Sequence, residues 1–352
     1  MPRRGSTKKW TYARAGVDAS KRGRALAALL HRVHPPTGKG ARSGPPLSGH
    51  YAGFARAGSE TIAVTTDTVG TKVMLAEATH RFTEVGEDLV AINVNDLAAV
   101  GSRPIGVVDS ISCVRADPRV FSGLGVGIDR GLRAAACRLL GGETAIVPEL
   151  VSGLDIGGTA IGFFPDGRRP VTGDRIRAGD VILGLPASGF HSNGFTLIRR
   201  LLKEAGIPLS HRRKGGHGPV GTELLTPTRT YVRASEALAD DPRTHGLAHI
   251  TGGGVRNLVR LNRRVRFELD GWPAPGGVYS WLGSLGDLDP KELYQTFNMG
   301  IGFVAIVAPS SEEEMLHRLG RAGYPDAVRV GTIARGRGVT VPGMDLRYQN
   351  YA

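Results

Sequence analysis

Carboxylates, a lysine, histidines and glycine clusters recur where β-prone runs give way to helical stretches. The first such place is Asp67-Thr-Val-Gly70-Thr71-Lys72. An Asp at a strand end, a turn and a lone Lys suit a metal ion and a phosphate. A hard cation such as Mg²⁺ takes one or two carboxylates plus phosphate oxygens, and Lys supplies a point charge. A plain turn with a solvated lysine is the alternative. Asn95-Asp96 falls inside a helical stretch, on a face shared with Ala91, Ile92 and Ala99. An amide and a carboxylate there are costly to bury without partners, unless the face borders solvent. Gly142-Glu143-Thr144 reads as the exit of a helix, where glycine allows positive φ; Glu143 is then a ligand or simply exposed.

The second half carries two more junctions. Ser188-Gly-Phe-His191-Ser192-Asn193-Gly194 lies between a buried strand pattern and a helix. A helix N-terminus presents free N–H groups to an anion, with Ser and Asn as caps, and His191 could move a proton near neutral pH. Capping alone would also explain these residues. His249-Ile-Thr251-Gly252-Gly253-Gly254 repeats the arrangement, with an arginine cluster from Arg256 directly after it. Bare backbone lets an anion approach closely; a flexible loop before a solvated basic helix is the other reading. Gly38-Lys39 lacks the following Ser or Thr of a P-loop, and no helix carries a His-Glu-x-x-His zinc pattern.

The elements that must hold these residues alternate in type. Strands are expected at 62–65, 105–111, 156–164, 181–185, 247–250, 301–307 and 327–333. Helices are expected at 87–100, 118–140, 194–205, 228–238, after Gly254 and at 311–321. The turn-rich run Pro165–Pro170 marks a boundary between two mixed halves, and the Gly/Pro/Ser-rich stretch His34–His50 reads as a loop or linker.

Composition narrows the partners. The 352 residues carry a net charge of +13, which points to anions. The excess is local, because residues 1–42 hold eleven basic side chains and one acid. Residues 199–214 and 256–266 are each +5, leaving the remainder net negative. Nothing matches a base-reading module, so no nucleic-acid partner is expected. No apolar run reaches membrane-spanning length, and no apolar segment follows the basic Met1–Arg4. Cys113 and Cys137 are too few for a zinc site or a disulfide framework. A cytoplasmic protein without a membrane partner is expected.

Taken in order, these motifs closely resemble the aminoimidazole ribonucleotide synthetase family, the phosphoribosylformylglycinamidine cyclo-ligases. The resemblance runs through Thr11–Asp18, Asp67–Lys72, Asn93-Val-Asn-Asp-Leu97, Gly141-Gly-Glu-Thr-Ala145 and Asp155–Gly162. It continues through Ser188–Gly194, Leu225–Tyr231, His249–Gly254 and Thr296–Gly302. The wording from Ala248 to Asn257 is similar to the archaeal branch. The resemblance implies an α/β (α+β) subunit of two domains. It also implies a homodimer whose N-terminal domains form a central β-barrel, with the C-terminal α/β domains flanking it. The divisions expected are a basic arm and Gly-rich loop (1–50), an ATP-binding and dimerisation domain (51–167) and a C-terminal domain (168–352).

The implied activity closes formylglycinamidine ribonucleotide to aminoimidazole ribonucleotide, releasing ADP and phosphate. ATP and Mg²⁺ are the implied cofactors, with room left for K⁺. His191, Lys72 and Asp96 are expected to be catalytic. Asp67, Gly70, Thr71, Lys72, Asn95, Asp96 and Glu143 are expected to bind ATP and its phosphates, with Asp67, Asp96 and Glu143 holding the metal. Ser192, Asn193, Gly194, His249, Thr251, Gly252, Gly253, Gly254 and Asn257 are expected to bind the ribonucleotide. Two departures stand out. Thr68 occupies a position where the family has Gly, which would strain a positive φ, and Ile146 and Glu149 differ from the common bacterial residues.

Overall fold

Two sheets divide the chain on either side of the Pro165–Pro170 break. The computed structural model describes residues 9–33, 50–165 and 168–351. Arg3, Arg4, Lys8 and nearly all of the Gly/Pro/Ser-rich stretch lie outside those residues. The first sheet is built from β1 (Gly53–Ala57), β2 (Glu60–Thr68), β3 (Arg103–Cys113), β4 (Arg138–Ile146) and β5 (Leu154–Phe163). Its order is β1-β2-β5-β3-β4, antiparallel except for the parallel β3–β4 pair at the edge. The second sheet contains β6 (Val181–Pro186), β7 (Thr244–His249), β8 (Val265–Glu268), β9 (Ile301–Val307), β10 (Val328–Arg335), β11 (Gly338–Val341) and β12 (Leu346–Tyr348). Its order is β12-β11-β8-β10-β6-β9-β7. Every residue of β7 and β9 is buried, as expected for strands covered on both faces.

The helices are α1 (Ala19–Leu30), α2 (Val73–Thr79), α3 (Thr83–Ala98), α4 (Pro118–Ala134), α5 (Phe195–Glu204), α6 (Val220–Leu224), α7 (Val232–Leu238), α8 (Gly277–Gly286), α9 (Pro290–Thr296) and α10 (Glu312–Arg321). The most enclosed of the long ones is α3, with twelve of its sixteen residues buried. It lies on the first sheet and crosses α4 where Gly86 and Gly127 remove side chains. A Cβ on Gly127 would lie 1.9 Å from the Thr83 carbonyl oxygen, and one on Gly86 would lie 2.4 Å from that of Leu124.

Three expectations need correction. The helix expected over 118–140 stops at Ala134; Ala136 turns the chain at φ 51°. Leu139 and Leu140, which extended the apolar pattern, instead belong to β4 and are half exposed. Glu143 therefore lies within a strand, not after a helix. The helix expected from Thr228 starts at Val232, because the preceding residues bond laterally to α3, as described below. The stretch after Gly254 is a 3-10 helix, Gly254–Arg260.

The close crossing of α3 and α4 is testable. Gly127→Ala should destabilise the protein by about 1–3 kcal/mol through overpacking, read as a lower denaturant midpoint at unchanged slope.

Candidate active site

One helix distributes polar side chains to both halves. On α3, Asp88 and Asn95 are two turns apart and share one face, and Asn93 and Asp96 are three apart on another. Asp88 and Asn95 reach the loop before α7. The Thr228 N–H donates to Asp88 Oδ1 at 2.8 Å, and the Thr228 hydroxyl bonds the same oxygen. Asn95 donates to the Arg229 carbonyl at 2.9 Å and accepts from the Tyr231 N–H at 2.7 Å. Further along, Ser235 donates to the Ala98 carbonyl at 2.8 Å. Asn95 is thus fully buried between the halves. The sequence suggested a contact with ATP for it; here its amide is turned to the Arg229 carbonyl and the Tyr231 N–H.

The other face of α3 builds the cleft. Asn93 accepts from the Asp67 N–H at 3.0 Å and donates to the Leu89 carbonyl at 2.9 Å, which fixes the end of β2. Asp67 folds back so that Oδ1 accepts from the Thr68 N–H at 2.8 Å. Its carboxylate still reaches solvent, yet the surrounding protein, and then the charge of Asp96, push its pKa up to about 6. Asp96 is held by the second half, its Oδ1 2.9 Å from His249 Nδ1 at the end of β7. A carboxylate only accepts, so Nδ1 carries the proton in this contact and Nε2 is the ring's free corner. Among the described residues Nε2 is buried and meets no partner.

Thr68 ends β2 without a positive φ, so its replacement of a family glycine introduces no strain. The left-handed residue of this turn is Gly70, at φ 66°. Thr71 bonds Thr196 at 3.0 Å between hydroxyls. Lys72 faces inward, with a side chain 0% exposed and its ammonium 2.6 Å from Asp88. The sequence suggested a phosphate contact for it; here its ammonium is turned to Asp88 and the Thr226 carbonyl.

Facing Asp96 from the second half is the Ser188–Gly194 loop. His191 is fully buried at φ 57°, and neither ring nitrogen has a partner among the described residues. Burial first, then His249, Lys72 and Arg229, holds its pKa well below the usual imidazole range. It is a neutral imidazole, with its ring centroid 6.3 Å from that of His249. Room for it exists because residue 302 is glycine: a Cβ there would lie 2.4 Å from His191 Cε1. The Ser192 hydroxyl is also buried, with no partner among the described residues.

Asn193 and Gly252 approach each other, a Cβ on Gly252 falling 3.0 Å from Asn193 Oδ1. Gly194, at φ 78°, starts α5 against Phe297. Gly253 and Gly254 take φ of 137° and 54°. Asn257 is buried and donates to the Thr251 and Gly254 carbonyls, and the Thr251 hydroxyl donates back to it at 3.2 Å. These two side chains brace the triple-glycine loop.

Among the described residues no three or more His, Cys, Asp or Glu side chains gather closely enough to hold a metal ion. Glu143 is exposed on β4, opposite Ser110, and is not brought to Asp67 and Asp96. Several site neighbours were missed in the sequence. Asp88 was readable from its seven-residue spacing to Asn95. Tyr51, whose buried hydroxyl meets no partner among the described residues, stacks beneath Arg260 at 4.1 Å, and Arg260 donates to the His50 carbonyl at 2.6 Å. Tyr351 donates to the Gly252 carbonyl at 3.2 Å. No sequence signal joined these distant positions.

Comparison with known proteins fits this geometry. Residues 49–164 match the family described as AIR synthase related protein, N-terminal domain, and residues 177–343 its C-terminal domain. The phosphoribosylformylglycinamidine cyclo-ligase of Thermococcus kodakarensis is 39% identical over 97% of this chain and 98% of its own length. The chain belongs to that family. The enzyme of the same name from Methanothermobacter thermautotrophicus is 39% identical, over 90% of this chain and 93% of that one. A solved structure described as AaThiL complexed with AMPPCP and TMP is 14% identical, with a TM-score of 0.64 over 98% of this chain and 99% of its own. It shares the fold. The chain is an ATP-using ligase of purine biosynthesis, cyclising formylglycinamidine ribonucleotide to aminoimidazole ribonucleotide. Among the described residues no helix is long and apolar enough to cross a membrane.

Asp67 gives a pH signature. Its ordinary pKa is 3.8 and the folded value about 6, so the folded state binds the proton more tightly. Its contribution to stability is present below pH 3.8 and is lost as pH rises through 6. The stability advantage of Asp67→Asn over the parent, in ligand-free protein, should grow with pH across that window.

Proposed function

We propose that the cleft between Asp67, Asp96 and the His191 loop is where ATP and the ribonucleotide meet. The observation that carries this reading is the set of buried atoms there that meet no partner among the described residues: both nitrogens of His191, Ser192 Oγ and His249 Nε2. Buried polar atoms left without partners cost about 1–3 kcal/mol each, and a polar ligand between these loops would satisfy them. The two facing carboxylates suit one divalent cation, as Mg²⁺ usually takes one or two alongside nucleotide phosphates. Asp67 and Asp96 would hold it, and its charge would offset that of the phosphoryl groups. Glu143 would join such a site only across a subunit contact.

The chemistry follows from the substrate. An amide carbon has no good leaving group until its oxygen is phosphorylated. The amidine nitrogen of the same molecule then attacks that carbon, the C–O bond to phosphate breaks, and the nitrogen gives up a proton. Holding the two ends together replaces a bimolecular step with a unimolecular one. His249 Nε2, with its tautomer fixed by Asp96, accepts the proton. Neutral His191, Ser192 and Asn193 orient the substrate by hydrogen bonds, and the bare backbone at Gly252–Gly254 receives its phosphate. Gly70 and Thr71 shape the turn that approaches the nucleotide.

A second copy of the chain would complete the molecule. Strand β4 is exposed along almost its whole length, with Leu139, Leu140 and Ile146 half exposed or more at an unpaired edge. Such an edge normally needs a partner, and pairing of two copies there would close the first sheets into a barrel. The division into an arm, a nucleotide domain up to 167 and a domain from 168 is kept in this reading. So are a cytoplasmic setting and a place for K⁺.

Formylglycinamidine ribonucleotide, ATP and Mg²⁺ should yield aminoimidazole ribonucleotide with this protein. No product, with ATP hydrolysis stimulated by another small acceptor, would reject the reading. His249→Asn should lower kcat by about 10²–10⁴-fold without changing the Kd for ADP. Ile146→Glu should shift the mass measured by light scattering from dimer to monomer; an unchanged dimer would place the contact elsewhere.

A further inference from the structure

Lys72 and Asp88 form a fully enclosed ion pair, both side chains 0% exposed, that the cyclisation chemistry leaves without a role. Taking two charges out of water is expensive unless their remaining donors and acceptors are satisfied, and here the second half satisfies them. Lys72 Nζ lies 2.6 Å from Asp88 Oδ2, donates to the Thr226 carbonyl at 2.9 Å and sits 5.5 Å from the centroid of the Phe195 ring. Asp88 Oδ1 takes both the N–H and the hydroxyl of Thr228.

Each end of this cluster leads to a wall of the cleft. On one side Lys72 follows directly on Thr71, at the end of the turn that starts with Asp67. On the other, the 226–229 segment grips Ser188, the first residue of the His191 loop. Ser188 Oγ donates to the Pro227 carbonyl at 2.5 Å and accepts from the Arg229 N–H at 3.1 Å. We propose that Lys72 and Asp88 are a positioning pair that sets the separation of the Asp67–Thr71 turn from the Ser188–Gly194 loop. Lys72 acts on the reaction through Asp88 and does not touch phosphate. The proposal rests on the cleft being the nucleotide and substrate site.

A double-mutant cycle separates positioning from phosphate contact. Lys72→Met leaves a buried, uncompensated carboxylate, so Tm should fall by about 10 °C and kcat at least about tenfold. Replacing the whole pair, Lys72→Met with Asp88→Leu, should restore most of the Tm, because apolar side chains can replace a buried ion pair at little cost. It should also raise kcat about tenfold above Lys72→Met, with the KM for ATP within about threefold of the parent. A double variant with parental Tm that keeps the kcat of Lys72→Met and a raised KM for ATP would overturn the proposal. Should the double variant fail to fold, Thr228→Val provides the reading. A fall in kcat at parental KM, reversed by Thr228→Ser, supports the pair, and parental kcat in Thr228→Val overturns it. Asp67→Ala is the control: an unchanged KM for ATP there would reject the cleft assignment itself, not the pair.

Discussion

Helix α3 cannot be buried unless another part of the chain answers its polar side chains. It brings Asp88, Asn93 and Asn95 into the interior and Asp96 to its border, and the helix itself can satisfy almost none of them. Asn93 is answered by the end of β2, Asp88 and Asn95 by the 226–231 segment, and Asp96 by His249. Those answers bring the first sheet, the loop before α7 and the end of β7 to one place. The site is a by-product of the requirement that buried polar groups find partners.

The cleft that results has uneven electrostatics. Asp67 and Asp96 bring negative charge to one wall. The opposite wall carries a neutral, wholly enclosed His191 and the bare backbone of three glycines. Among the described residues, Lys72 is paired with Asp88, and Arg229 is paired with Asp326 and stacked on Tyr324.

Much of this was legible in the sequence, for identifiable reasons. The fully buried strand at 301–307 and the cleft motifs at Asp67, Asp96, His191 and His249 were readable because each is a local pattern of residue types. The end of α4 was misread because Leu139 and Leu140 continue an apolar periodicity that the left-handed Ala136 interrupts, and exposed strand leucines look the same as buried helical ones. The ion pair of Lys72 was hidden for another reason. A lysine after a glycine turn looks free until its partner, Asp88, is found sixteen residues away and a full helix later. Arg260, Tyr51 and Tyr351 meet only through tertiary packing, which no local pattern encodes.

The bracing of α3 also bears on how ligands come and go. Asp88, Asn95 and the Ala98 carbonyl are bonded to successive points between Thr228 and Ser235. Rotating the two halves apart would break all of these at once, at about 0.5–1.5 kcal/mol net for each hydrogen bond handed to water. A clamshell hinge is therefore a poor route into this enzyme.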